Sequence, residues 1–400
     1  MSLHLFNDKL NFSCEFTLEL DLIMVLLKED IDKEYLNTFN AIKINWEKFL
    51  NLTLHHRVFP NIFIALNKLN LTWIPEKVMT SLRYKYQQNV FSMLKLTSEQ
   101  ETIGELFHHH NIKTVFLKGP VLAADLYGDV SLRTSRDIDV LVPFDQLEVV
   151  QDILENEGYV QEQHSYILFE KKWRVHHEEY THKEKNIKIE VHWKLHNNLL
   201  KEPSFEDLWH RKRSIKLGRT EIYMLGKEDL FIFLITHGAR HGWFRLRWLV
   251  DIDKFLRDTN VGWGRVEFIS TGYDYNDILG QSILLANNLL STPIPDSNRF
   301  SQLIERKNAK KLTEMAMVFI GNKKEEKIFP GESKTFYYHY TYIMQNKLSK
   351  KLMYILMMLC PTSKDAKVLP LPQALHFLYF PLRPLFIAGR RLGFMKGNNS

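Results

Sequence analysis

Cysteine is nearly absent: Cys14 and Cys360 are the only two in 400 residues. Two thiols build neither a disulfide framework nor a zinc cluster, and a reducing cytoplasm is the expected location. Long apolar runs are missing too. The longest, LMYILMMLC at 352–360, is about half the roughly 20 residues that span a bilayer. The opening MSLHLFNDKLNFSCEF lacks a basic stretch followed by an apolar one, so no secretory leader is expected. There is no internal repeat and no low-complexity tract.

What is present is the composition of a globular protein, 45% hydrophobic and 25% charged. The length suits two or three domains, or one core with helical additions. The charge is unevenly placed. Residues 351–400 hold seven Lys/Arg against one acid, which equals the whole net charge of +6. The same segment carries HFLYFPLRPLFIAGRRLGF, rich in aromatics. Such a tail suits an anionic partner, a membrane surface or a nucleic acid. The simpler expectation is a segment that packs its aromatics on the domain and leaves its cations in water. Pro381 and Pro384 are expected to interrupt any long helix there.

Along the chain, three regions separate by period. Residues 1–110 place apolar side chains at three- and four-residue intervals and predict helices, with Pro75 in the first turn of one. Residues 111–218 predict a mixed α/β unit. IKTVFL reads as a strand, GPVLAADLYG as a short helix, RDIDVLVP as a strand and FDQLEVVQDILENEG as a helix capped by Gly158. YVQEQHSYILFEKK, VHHEEYTHK and IKIEVHWKL are strand-like. Residues 219–400 return to helix, with KEDLFIFLITHGARHGWFRLRWLVDIDKFLRD as one long or broken amphipathic helix, and further helices at about 275–292, 300–319 and 334–360. GNKKEEK at 321–327 reads as a surface loop. The predicted fold class is α+β, a small mixed sheet flanked by helical regions.

The chemistry concentrates in FLKGPVLAADLYGDVSLRTSRDIDVLV, residues 116–142. On a strand, Asp137 and Asp139 share a face while Ile138 and Val140 point to the core. Two adjacent carboxylates repel unless a cation sits between them, and Mg²⁺ suits such a pair together with substrate phosphates. In IKIEVHWKL, Ile187, Ile189 and Val191 take one face, and Lys188, Glu190 and His192 the other. An unpaired acid mid-strand is costly, so Glu190 completes an acidic triad if its strand lies beside the 136–142 strand. Lys118 and Gly119 open the first strand–helix turn. Glycine lets backbone approach a ligand closely, and helix N-terminal N–H groups favour anions there. Arg133 and Arg136 add cations, and Ser135 a donor.

These segments, LKG, LYGD, LRTSRDIDVLV, IEVHWKLH and HGARHGWFRLRWLVDI, resemble the uncharacterised nucleotidyltransferase-like family of the polymerase-β-type nucleotidyltransferase superfamily, and the wider group that includes aminoglycoside nucleotidyltransferases. The resemblance covers most of the chain. It implies that Gly119 is the turn glycine, that Asp137 and Asp139 are the metal-binding pair, and that Glu190 is the third acid. It further implies two Mg²⁺ ions and a nucleoside triphosphate, from which a nucleoside monophosphate passes to a hydroxyl on an acceptor: a small molecule, sugar, peptide or macromolecule. Two departures stand out. The superfamily has Gly-Ser in the turn where this chain has Lys118-Gly119-Pro120, and the spacer to Asp137 is longer. The lost hydroxyl contact then falls to Lys118 with Arg133 or Arg136. Alternatives are a non-catalytic nucleotide- or phosphate-binding module and a toxin-like transferase acting on tRNA or protein.

The histidines carry simpler expectations. His237 and His241 lie four apart on one helix face, but H-E-x-x-H lacks its glutamate here. A structural role, or a supporting contact to nucleotide or acceptor, is expected over metal. Trp243 and Trp248 are expected in the core. His108, His109 and His110 suit the C-terminus of a helix. His176-His177-Glu178-Glu179 reads as the solvated part of a hairpin. His192, on the face of Glu190, either contacts substrate or satisfies that acid.

Overall fold

The computed structural model describes residues 16–163, 165–196, 200–296, 298–321 and 332–391. Cys14, the opening segment, most of GNKKEEK and the last residues of the basic tail lie outside them.

Apolar periodicity in the first region gives the helices Leu18–Leu27, Trp46–His55, Phe59–Leu69 and Glu76–His109. The first is apolar nearly all round and is buried along its length. Pro75 stands at the N-cap of the 34-residue helix Glu76–His109. At its other end the His110 ring lies 2.9 Å from the Leu106 carbonyl, and Asn111 turns left-handed with φ 57.

The middle region folds into one sheet of seven strands: β1 Val115–Phe116, β2 Asp137–Leu141, β3 Val160–Gln161, β4 His177–His182, β5 Ile187–His192, β6 Arg213–Leu217 and β7 Thr220–Met224. The order is β3-β4-β5-β2-β1-β7-β6. β2 runs parallel to β5 and antiparallel to β1; β4 is antiparallel to β5. Alternation decides the faces: Ile138, Val140, Ile189 and Val191 are buried in the main core. The β6–β7 hairpin has no counterpart in the expected elements, and it carries the sheet past residue 218. Among the described residues, YVQEQHSYILFEKK contributes the two-residue β3 and the start of the short helix Glu170–Arg174.

The amphipathic run after Gly226 is broken, not continuous: helix Lys227–Arg240 ends, the chain reverses, and helix Leu246–Arg257 follows. Gly242 and Trp243 both take positive φ at the reversal. Trp243 then packs so closely on Gly238 that a Cβ there would sit 2.5 Å from the indole. Trp243 and Trp248 are both core residues, as expected. The helix expected at 300–319 divides into Asn298–Ile304 and Lys307–Gly321, and that at 334–360 into Glu332–Met344 and Leu348–Leu359.

The prolines of the tail are accommodated. Pro381 lies in the first turn of helix Tyr379–Arg391, where its missing N–H had no intrahelical acceptor, while Pro384 lies inside the helix and costs it one backbone hydrogen bond. Tyr379 and Phe386 bury against Ile167 in a small cluster of their own. Leu348, Leu352, Ile355, Leu356 and Leu359 lie exposed along one helix face. Among the described residues no helix is long and apolar enough to cross a membrane.

Candidate active site

The site forms where β1 ends and β2 begins. Gly119 has φ 83, and a Cβ on it would lie 3.3 Å from the Asp137 carbonyl oxygen. Backbone therefore meets backbone at this turn, which only glycine allows without strain. The following helix, Pro120–Tyr127, offers an anion less than expected. Pro120 has no N–H, and the Val121 N–H donates to Gln100 Oε1 at 3.2 Å. Two of the first donors of that helix are thus missing or taken.

β5 lies beside β2, the pairing on which the acidic triad depended. The register sets Asp137 opposite Lys188, Asp139 opposite Glu190 and Leu141 opposite His192. Asp139 is 1% exposed. Its Oδ1 lies 2.9 Å from Lys118 Nζ and 3.4 Å from His192 Nε2, and His192 Nε2 lies 3.5 Å from Glu190 Oε2. Burial works to raise the Asp139 pKa, but Lys118 and His192 outweigh it and hold the carboxyl well below its ordinary range. Asp137 moves the other way: burial first, and then the Asp139 charge, raise it. Ser135 Oγ lies 3.2 Å from the Asp137 carbonyl and 3.3 Å from its Oδ1. His192 is pulled down by burial and lifted further by Asp139 and Glu190, so its pKa is raised. It serves both acids rather than Glu190 alone.

The cations are only in part those the sequence suggested. Lys118 reaches the acids, and Arg136 lies exposed just before β2. Arg133 does not join them. It is fully buried and forks onto Asp251 of helix Leu246–Arg257, Nε and Nη2 each 2.9 Å from a carboxylate oxygen, with Tyr127 Oη donating to the same group at 2.8 Å. In its place stand Arg57 and Arg247. Burial, then Arg245 and Arg136, push Arg57 down to about 10. Burial, then Arg133 and Arg57, push Arg247 to about 9. Asp137 attracts both. Arg247 donates to Thr134 O and Oγ1, while its buried Nε has no partner. Guanidiniums crowded together with few carboxylates form a place for a polyanion. Arg57 was missed because it comes from the break between two N-terminal helices. Arg247 was within the quoted RLRW, and no spacing rule singled it out.

His237 and His241 pair at 4.7 Å, His241 stacks on Trp248, and burial holds both imidazoles neutral. Neither belongs to any metal-ligating group among the described residues. The hairpin around His176 departs from expectation. His176 is 7% exposed, and the His177 ring lies 4.8 Å from that of His192. The register sets His177 opposite His192 and Glu179 opposite Glu190. Alternation of the β4 side chains thus brings His177 and Glu179 to the acid face rather than to water.

Three sets of potential ligands result: Asp139, Glu190 and His192; His177, Glu179 and Glu190; and His176, His177 and His192. Within each, the ligand atoms lie within 4.8 Å of one another. Asp137 shares the acid face but belongs to none of these sets. The residues fit a divalent ion on one further observation: Asp139 Oδ2 is buried and has no hydrogen-bond partner, an expensive state for a carboxylate oxygen without a cation.

The model of the uncharacterised nucleotidyltransferase family matches residues 42–291. The chain belongs to this family, which is part of the polymerase-β superfamily. The match takes in Arg57, the whole sheet and the helices Lys227–Arg240 and Leu246–Arg257. No curated protein and no solved structure gives a significant match.

Proposed function

We propose that the protein is a divalent-metal-dependent nucleotidyltransferase that moves a nucleoside monophosphate from a nucleoside triphosphate to a hydroxyl of its acceptor. The register of β2 against β5 carries this reading. It sets Asp139 beside Glu190, on the face of Asp137 and next to the Gly119 turn. Asp137, Asp139 and Glu190 are the carboxylates to hold Mg²⁺, with His192 at their edge. A bound ion supplies positive charge to the phosphate oxygens and acidity to the attacking hydroxyl.

This chain's own residues do the rest. Lys118, Arg136, Arg57 and Arg247 draw the triphosphate over the acid face and neutralise its charge. The acceptor oxygen attacks the α-phosphorus and its proton passes to a carboxylate oxygen. The bond from the α-phosphorus to the bridging oxygen breaks, and pyrophosphate leaves. Nucleotide choice and acceptor follow from contacts outside this face. The test is incubation with each α-³²P nucleoside triphosphate, Mg²⁺ and cell extract. Label entering a new molecule, dependent on Asp137, supports transfer.

The engaged Val121 N–H and the absent one of Pro120 favour a second reading, a nucleotide-binding module without catalysis. It expects nucleotide binding by calorimetry with no pyrophosphate release against any acceptor.

A further inference from the structure

The strand β4 takes no part in the transfer chemistry, yet it presents His177 and Glu179 to the acid face, opposite His192 and Glu190. Of the three potential ligand sets, the one with three imidazoles is weakened by its own hydrogen bonds. Arg240 Nη1 lies 3.0 Å from His176 Nε2. A guanidinium only donates, so Nε2 is the acceptor and Nδ1 keeps the ring hydrogen. His176 thus has no nitrogen free to ligate.

In the set of His177, Glu179 and Glu190 the ring of His177 keeps one nitrogen, Nδ1, unengaged. Their side chains are 24%, 23% and 19% exposed, open enough to admit an ion with its waters. Lys188 pairs with Glu179 Oε2 and orients it, leaving Oε1 3.4 Å from His177 Nε2. His177 Nδ1 is buried with no hydrogen-bond partner. Beside them His192, 3% exposed, reaches within 3.5 Å of Glu190 Oε2. A buried ring nitrogen without a partner is expensive, and a cation on His177 Nδ1 would relieve that cost.

We propose that His177, Glu179 and Glu190 form a second metal site, distinct from the Asp137–Asp139 pair, with Glu190 shared between the two. Its ion is a first-row transition dication, because imidazole suits Zn²⁺, Fe²⁺ or Ni²⁺ whereas Mg²⁺ takes oxygen ligands; Co²⁺ serves as the visible probe. The site uses β4, not the phosphate-binding cations, and does not rest on the transfer reaction.

The experiment uses full-length protein stripped with chelator, titrated with Co²⁺ in excess Mg²⁺ and followed by visible absorption and equilibrium dialysis. The expected result is one Co²⁺ that Mg²⁺ does not displace, with affinity falling at least about tenfold in His177→Ala and in Glu179→Gln, and unchanged in Asp137→Asn. Circular dichroism melts establish that each variant is folded, and Glu179→Gln serves if His177→Ala is not. Displacement of Co²⁺ by Mg²⁺, or undiminished Co²⁺ affinity in a folded variant of either β4 residue, overturns the proposal. Retained Co²⁺ with no nucleotidyl transfer leaves this site standing and removes only the transfer reading.

Discussion

Arg133 and Asp251, 118 residues apart, form a buried two-pronged ion pair that ties the segment before β2 to helix Leu246–Arg257. Breaking a buried pair leaves one charge unpaired, at about 3–5 kcal/mol. Asp251→Ala should therefore lower the urea stability by that amount. At temperatures where the variant is folded, its nucleotide affinity should stay within about twofold of wild type. A stable Arg133→Ala protein that no longer binds nucleotide would return Arg133 to the phosphates.

Asp139 is the most buried acid of the face and the one most strongly held in its ionised form. Asp139→Asn keeps the shape and removes the charge. Nucleotidyl transfer should fall by at least about a thousandfold, since the charge stabilisation given up is several kcal/mol. The far-ultraviolet circular dichroism spectrum should be unchanged. A fully active variant sinks the assignment of the acid face.

The Arg57 guanidinium makes no ion pair or hydrogen bond among the described residues and lies amid Arg136, Arg245 and Arg247. Removing it relieves repulsion in the free protein and takes a cation from the bound triphosphate. Arg57→Ala should weaken triphosphate binding by roughly ten- to a hundredfold, the worth of one charged hydrogen bond. Its melting temperature should be equal to or above wild type. Calorimetry with a non-hydrolysable triphosphate reads the first effect and thermal unfolding the second.

At Gly119 the strain is local. With φ 83 and a 3.3 Å approach to the Asp137 carbonyl, Gly119→Ala should cost about 1–2 kcal/mol. It should also push on the backbone that carries Asp137, so transfer activity should fall further than stability alone accounts for. Equal activity per folded molecule would show that the turn does not position the acid.

Glu202 supplies a pH test away from the site. Burial pushes its carboxyl up to about 7 from 4.5, against the hydrogen bond from the His196 N–H at 2.8 Å. A raised pKa means that folding favours the protonated form. The stabilisation is full below about pH 4.5 and is lost as pH rises through 7. Between pH 4.5 and 8, wild type should lose about 1–3 kcal/mol relative to Glu202→Gln, with a constant difference above that range. Parallel stability curves for the two proteins would exclude a protonated Glu202.

Much of this arrangement was legible along the chain because it obeys short periods. Alternation put Asp137 and Asp139 on one face of a five-residue strand, and put Lys188, Glu190 and His192 on one face of another. The break in helix after Asn111 marked the start of the sheet region. Less legible was β4: HHEEY looked like solvated surface because nothing local tells a polar hairpin in water from one folded over a site. The β6–β7 hairpin was hidden among charged residues, and the helical run after Gly226 hid its reversal at Gly242.

By itself the sequence determined which side chains share a face, where helix yields to strand, and that a glycine turn precedes an acidic pair. These are properties of one backbone segment and its period. Tertiary structure alone decided the partners. It set β5 beside β2 in register, so that Glu190 meets Asp139. It turned Arg133 away to Asp251 and brought Arg57 and Arg247 around Asp137, one from a turn before the sheet region and the other from a helix after it. The physical reason is range. Strand alternation is dictated within a few residues by covalent geometry, whereas the choice of counter-charge depends on which elements burial of the common core presses together.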